Sequence, residues 1–318
     1  MKRRQPVTEL SVTFNIMMPM LLLLATGWIL RKTGILDGDM PSRLNRLIFK
    51  ILLPVLLFNN LRNMDRKAAA DLKYLLFLFA GLTAVFLISM AVVPRFEKNV
   101  RKQGVMVQGI FRSNFAILGV PLMDAMFGQA GNLVYSLALP VVIPLNNILA
   151  VIALSSAEGK KADRRKIVKD ILTNPLIIGC AAGAVFYFSG ISLPTVIDNT
   201  FSKLADITST LSLIVLGASL KWEGILDNRT QLLWTVLLKQ ALIPAIMMAA
   251  AIMLGFTGPQ MGVIIVLFGA PCAVSSFPMA DAMGGDSHLA AGQVVLTTVA
   301  SMGTLFVMIL AGKLLQLI

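Results

Sequence analysis

The sequence predicts an all-α integral membrane protein of ten transmembrane helices, built as two inverted five-helix repeats in which the fourth and ninth helices are broken and cross. Three observations carry this prediction. Of 318 residues, 57% are hydrophobic and only 14% charged, and the mean hydropathy of +0.80 exceeds what a domain with a water-facing surface shows. Apolar windows of about 20 residues, the length that crosses a bilayer, recur along the chain. Finally, Pro121-Leu122-Met123-Asp124-Ala125-Met126-Phe127-Gly128 returns as Pro278-Met279-Ala280-Asp281-Ala282-Met283-Gly284-Gly285, identical at five positions and displaced by 157 residues.

The windows fall at 9–30, 42–61, 72–93, 104–127, 131–155, 171–189, 195–220, 231–255, 259–283 and 288–315. The first follows Lys2-Arg3-Arg4 in the manner of a signal peptide, but no small-residue cleavage site follows and Arg31-Lys32 closes it, so it reads as a span. Pro19, Gly27, Gly34 and Ile35 of that span match Pro175, Gly183, Gly190 and Ile191 of the sixth at a displacement of 156, so two separate regions agree on the repeat. Residues 1–157 form the first unit, 158–170 a basic cytoplasmic connector, and 171–318 the second. Because five spans is an odd number, the second unit enters the membrane upside down.

Lys and Arg in loops 1–2, 3–4, 5–6 and 7–8 number 16, against 8 on the side that carries both termini and loop 2–3. The positive-inside rule therefore places both termini on the non-cytoplasmic side of a multi-pass protein of the cell membrane. The net charge of +12 does not point to nucleic acid, since the basic residues lie between apolar segments without aromatic interleaving. Cys180 and Cys272 sit inside apolar spans and offer no disulfide framework. With one histidine, no thiol cluster and no acid cluster of ligand spacing, no metal site or cofactor is expected.

The chemistry gathers in the broken helices. Arg112, Ser113 and Asn114 precede Gly119 and Pro121 in the fourth span, while Pro271, Ser275, Ser276 and Pro278 interrupt the ninth. A proline removes an amide donor and clashes with the carbonyl four residues back, so backbone groups lose their partners where no water is available. Half-helices that restart at mid-membrane offer free amides and partial positive charge, a ready anion site, to which Arg112 adds a full charge. Arg112 alternatively snorkels to the cytoplasmic face, and Asn114 alternatively bonds helix to helix.

Asp124 and Asp281, three residues beyond the restart prolines, read as proton sites, gate residues, or first-turn acids favoured by the helix dipole. Lys50, Asp206 and Lys239 are further mid-span charges for coupling or gating, with Lys203 and Asp206 spaced to pair along one helix. Gln293, Thr297 and Ser301 make a polar stripe in the tenth span, and Asn146 and Asn147 add amides to the fifth. These either line a path or pack by hydrogen bonds.

Gly34-Ile35-Leu36, Leu44-Asn45-Arg46-Leu47-Ile48-Phe49, Leu53-Pro54, Arg112-Ser113-Asn114 with Gly119-Val120-Pro121-Leu122, Leu216-Gly217-Ala218-Ser219-Leu220, Ala270-Pro271-Cys272-Ala273 and Gly284-Gly285-Asp286, in that order and spacing, resemble the auxin efflux carrier family in its short bacterial form. The resemblance implies two inverted five-helix repeats, crossing at the fourth and ninth helices, and a transport bundle that moves against a scaffold. It implies organic anions as cargo, malate or malonate in bacterial members and auxin in plants. By position it assigns the crossover to Asn114, Gly119 and Pro121 with Pro271, Ser275 and Ser276. The chain departs from the family pattern at Lys50, where an uncharged or aromatic residue is expected, at Cys272 in place of Thr, and at Ser275 in place of Asn.

The expected function is secondary transport of a small organic anion such as a dicarboxylate by alternating access, driven by the membrane potential or by H⁺ or Na⁺. The expected partners are that anion, the lipid bilayer and a second copy in a homodimer. The alternative is a membrane sensor or accessory subunit that binds ligand without turnover. An intramembrane enzyme is disfavoured, because no acid–base set is positioned and neither Asp stands in a protease frame.

Overall fold

The computed structural model describes residues 6–63, 71–156 and 164–318, with the backbone alone for 6–13, 164, 166–167 and 222. Their regular elements are helices and two π turns: α1 (Pro6–Lys32), α2 (Met40–Leu47), a π turn (Ile48–Leu52), α3 (Leu53–Arg62), α4 (Leu72–Phe96), α5 (Val100–Phe111), α6 (Phe115–Phe127), α7 (Gln129–Ser156), α8 (Arg164–Thr173), α9 (Pro175–Ser189), α10 (Thr195–Ser219), α11 (Trp222–Asp227), α12 (Arg229–Leu237), a second π turn (Leu238–Leu242), α13 (Ile243–Met253), α14 (Gly258–Gly269), α15 (Ser276–Ala282) and α16 (Ser287–Leu314). The first six residues of the predicted connector, 158–163, and the basic residues Lys2, Arg3, Arg4, Arg66 and Lys67 lie outside the described residues.

Seven of these stretches are long and apolar enough to cross a membrane: Phe14–Lys32, Met40–Arg62, Leu72–Phe96, Gln129–Ser156, Thr195–Ser219, Arg229–Met253 and Ser287–Leu314. Three shorter apolar helices, α6, α9 and α14, accompany them. Leu22, Leu76, Leu87, Val185 and Met253 stand exposed on these helices, the outward apolar belt that a hydrocarbon surround requires. Local chemistry starts several helices as the sequence dictates. Asp71 accepts from the Tyr74 amide at the head of α4, and that bond with one from Gln260 holds its carboxyl below the usual range. Asn174 and Asp286 cap α9 and α16 in the same way.

Both π turns lie directly ahead of a proline, Pro54 and Pro244. Each ring clashes with the carbonyl four residues back, and the chain adds one residue to the turn rather than breaking, so the Leu53 and Ile243 amides reach back to Ile48 and Leu238.

Small residues bring backbones together at two places related by the sequence displacement. A Cβ on Gly27 of α1 would strike the carbonyl of Ile214 in α10, and one on Gly183 of α9 would lie 2.8 Å from the carbonyl of Phe58 in α3. Gly27 and Gly183 are 156 apart, and so are Phe58 and Ile214. Two further contacts join residues separated by the same displacement: Thr208 Oγ1 donates to the Leu52 carbonyl, 3.2 Å and 156 residues away, and the Asn114 amide to the Pro271 carbonyl at 2.7 Å, a displacement of 157.

Candidate functional site

Between α5 and α6 the chain unwinds over 112–114, and between α14 and α15 over 270–275. The two unwound segments cross and pair as backbone: Ser113 and Cys272 form an antiparallel bridge, and the Asn114 amide bonds the Pro271 carbonyl. Thr297 on α16 fixes the second segment, accepting from the Cys272 amide at 2.9 Å while donating to the Gln293 carbonyl at 2.6 Å. The polar stripe of the last span thus braces the crossing from behind.

A cavity of about 60 Å³ adjoins the crossing. Residues 112–117 and 273–275 line it, together with Ile143, Asn146 and Asn147 of α7, Leu53, Leu56 and Leu57 of α3, and Ser209 and Ser212 of α10. Arg112 is 3% exposed; its Nη2 donates to Asn147 Oδ1 at 2.8 Å and its Nη1 lies 3.1 Å from Met279 Sδ. Among the described residues no acid pairs with it; the ion pairs of Arg43 with Asp39 and of Arg62 with Asp198 lie elsewhere. Ser113 Oγ and Asn114 Nδ2 are buried without a partner, as is Asn146 Oδ1. The first turn of α6, whose amides have no partner within their own helix, borders the same space.

Arg112, Asn114 and Ser275 therefore meet at one cavity, and Arg112 points inward rather than snorkelling. Pro271 supplies the carbonyl that pairs with Asn114, and Ser276, buried at the head of α15, contacts the Cys272 thiol at 3.4 Å. Gly119 serves packing: a Cβ there would collide with the Tyr135 ring, whose hydroxyl donates to the Phe115 carbonyl at 3.0 Å. Pro121 does not open its helix. It lies exposed inside α6, because the chain already restarts at Phe115, where the crossing has supplied backbone partners. The same early restart moves Asp124 into the last turn of α6 and Asp281 to the end of α15, so neither is a first-turn acid. The breaks are also unequal: α15 has seven residues against thirteen in α6, and the partial charge at a helix start rests mainly with α6.

Lys50, Lys203 and Asp206 are exposed, and no ion pair joins Lys203 to Asp206. Their shared face of α10 looks outward, where burial does not force neutralisation. Lys239 is fully buried and Nζ finds no hydrogen-bond partner. The sequence reading missed Ser209 and Ser212, whose three-residue spacing beside Thr208 in an apolar span was the available signal.

A family model described as a membrane transport protein matches residues 12–309. The chain belongs to this membrane transport family. It is the family of the auxin efflux carriers, which the motifs around the crossing resemble. A relative described as an uncharacterized transporter, from Methanothermobacter thermautotrophicus, is 23% identical over 288 residues, covering 90% of this chain and 93% of its own.

This membrane transport protein also holds a larger cavity, about 600 Å³, at the ends of α1, α10 and α15 and the starts of α2 and α16. Arg31, Lys32, Lys221 and His288 line it along with Glu223 and Asp281. Phe277, one of its lining residues, is two residues from Ser275, which lines the crossover cavity. Asn45 Nδ2 donates to Asp281 Oδ2 at 2.7 Å, tying α2 to α15 across its wall. The counterpart Asp124 instead accepts from Asn132, eight residues along, at 2.9 Å.

Proposed function

We propose that the protein is a secondary carrier of a small organic anion, a carboxylate or dicarboxylate, that works by alternating access at the crossing of its two broken helices. The observation that carries this reading is Arg112, a buried guanidinium with no acid partner among the described residues, beside the unpartnered donors of Ser113 and Asn114. A charge held inside a membrane protein needs a counter-charge. An arriving carboxylate supplies it, accepting from Arg112, Asn114 Nδ2 and the first-turn amides of α6.

The displacement-related contacts of Gly27 with Ile214, Gly183 with Phe58, Thr208 with Leu52 and Asn114 with Pro271 support ten crossings arranged as two inverted five-helix repeats. On this reading a two-fold axis passes through the crossing, and both termini lie outside the cell. The 60 Å³ cavity holds a few waters but not a dicarboxylate. Loading therefore requires the crossing and α7 to shift against α3 and α10, which the close glycine contacts tie to α9 and α1 as a scaffold. The large basic vestibule collects the anion on the cytoplasmic side, and Phe277 with the Asn45–Asp281 bond separates it from the site.

Purified protein in liposomes is expected to move labelled malate or a related carboxylate down an imposed potential. Asn114→Ala is expected to lower uptake by about tenfold while the protein stays folded, the loss of one hydrogen bond to a charged ligand. Unchanged flux in that variant would sink the site; ligand-induced stabilisation without counterflow in the wild type would instead make the protein a receptor.

A further inference from the structure

A second group of buried polar side chains, Lys239, Thr235 and Gln293, lies apart from the residues that line the Arg112 cavity. Lys239, in the second π turn, is 0% exposed. Its π turn packs against α5, α14 and α16. Lys239 is four residues beyond the buried Thr235 and shares its face; Thr235 Oγ1 accepts from Gln293 Nε2 at 3.0 Å. Gln293 Oε1 is a buried acceptor without a donor, and Lys239 Nζ a buried donor without an acceptor. Gly109 of α5 gives the Gln293 amide its room, since a Cβ there would lie 2.5 Å from it. The hydrogen bonds of Thr235 with Gln293 and of Gln240 with Thr304 bracket Lys239 along α16 at the level of Thr297, which holds the Cys272 amide of the crossing.

The crossing has two electrostatic ends. Helix starts offer amides to an anion, whereas helix ends and unwound carbonyls present partial negative charge, the environment in which carriers hold a coupling cation. Here α5 and α14 both end at the crossing, and their last carbonyls have no partner within their own helices. We propose that the Lys239 ammonium is the resident cation of this end, a tethered charge standing where a carrier of this build would bind a metal ion, so that transport needs no Na⁺. The inference rests on the carrier reading for its role in transport, but the presence of the cation site can be tested without substrate. Lys239 acts as a positioning residue: its charge offsets the helix ends and adds to the field that Arg112 offers the anion.

Two measurements on the full-length protein separate the claims. In detergent, melting temperatures are compared in sodium chloride and choline chloride at equal ionic strength. The wild type and Lys239→Arg are expected to melt alike in both salts. Lys239→Ser, which removes the charge and opens space, is expected to melt lower in choline and to recover part of the loss in sodium. Lys239→Met, close in volume and neutral, is expected to melt lower in both, which keeps the test decisive if the serine variant does not fold. In liposomes the methionine variant is expected to carry labelled carboxylate on the order of tenfold more slowly than wild type, the size of a typical coupling between sites, while the arginine variant retains most of the flux. Wild type stabilised by sodium over choline, or Lys239→Met indistinguishable from wild type in melting, overturns the proposal. If wild type carries no carboxylate at all, the carrier reading falls, and the melting comparison still decides the cation site.

Discussion

Two π turns in this protein are built alike and send their lysines to opposite environments. Lys50 lies four residues ahead of Pro54 and is exposed; Lys239 lies five ahead of Pro244 and is fully buried. In both, the proline expels the ladder by one residue, and the side chains turn with the bulge. Lys50 is the third residue of its turn and Lys239 the second, a difference of about a quarter turn, enough to exchange the outer surface for the core. The contrast teaches that a charge in an apolar span gains its meaning from the face it occupies, not from its depth along the chain.

The sharpest break of that comparison sets Arg112 beside Lys50. Arg112→Ala should weaken carboxylate binding by about 2–3 kcal/mol, on the order of 30- to 150-fold, since it removes charged hydrogen bonds from a dry site. Lys50→Met, on an exposed face, should change melting by no more than about 0.5 kcal/mol and leave the flux intact. A titration of ligand-induced melting shifts reads both; equal effects would mean that burial does not sort these charges.

The packing contrast is next in size. Gly27→Leu and Gly183→Leu each drive a side chain into a neighbouring backbone, and each should cost about 1–3 kcal/mol or more. Matching losses in melting temperature support equivalent positions of one repeat, while a loss at only one of them counts against the two-fold arrangement.

The smallest expected effect compares the repeated aspartates. Asp281→Asn weakens the bond to Asn45 that ties α2 to α15, whereas Asp124→Asn alters a contact with Asn132 close by in sequence. Each costs about 1 kcal/mol or less in stability. Only Asp281→Asn should change the rate at which a cysteine placed at Ser42, in the vestibule wall, reacts with a membrane-impermeant thiol reagent. Equal rates in both variants would remove the gating role.

Much of the fold was legible in the residues. The apolar windows anticipate the helices to within a few positions, because length and hydropathy alone decide what can cross a bilayer. The repeated octapeptide and the glycine pattern pointed to two related halves, and Arg112-Ser113-Asn114 to a polar break. The prolines misled at one point. Pro121 and Pro278 were expected to mark the restarts, yet α6 begins six residues before Pro121, while Pro278 sits in the first turn of α15, where no amide is required. The restart was set by a partner strand of backbone that no local rule contains.

By itself the sequence determined that this is an apolar, many-helix membrane chain with two interrupted helices and a few charges at depth, since those properties follow from composition and local chemistry. Only the tertiary structure decided that Ser113 meets Cys272, that Arg112 turns toward a cavity without an acid, and that Lys239 rather than Lys50 is buried. The physical reason is that facing is a property of packing: a rotation of one residue about a helix costs little locally, and the contacts across the bundle choose among the rotations.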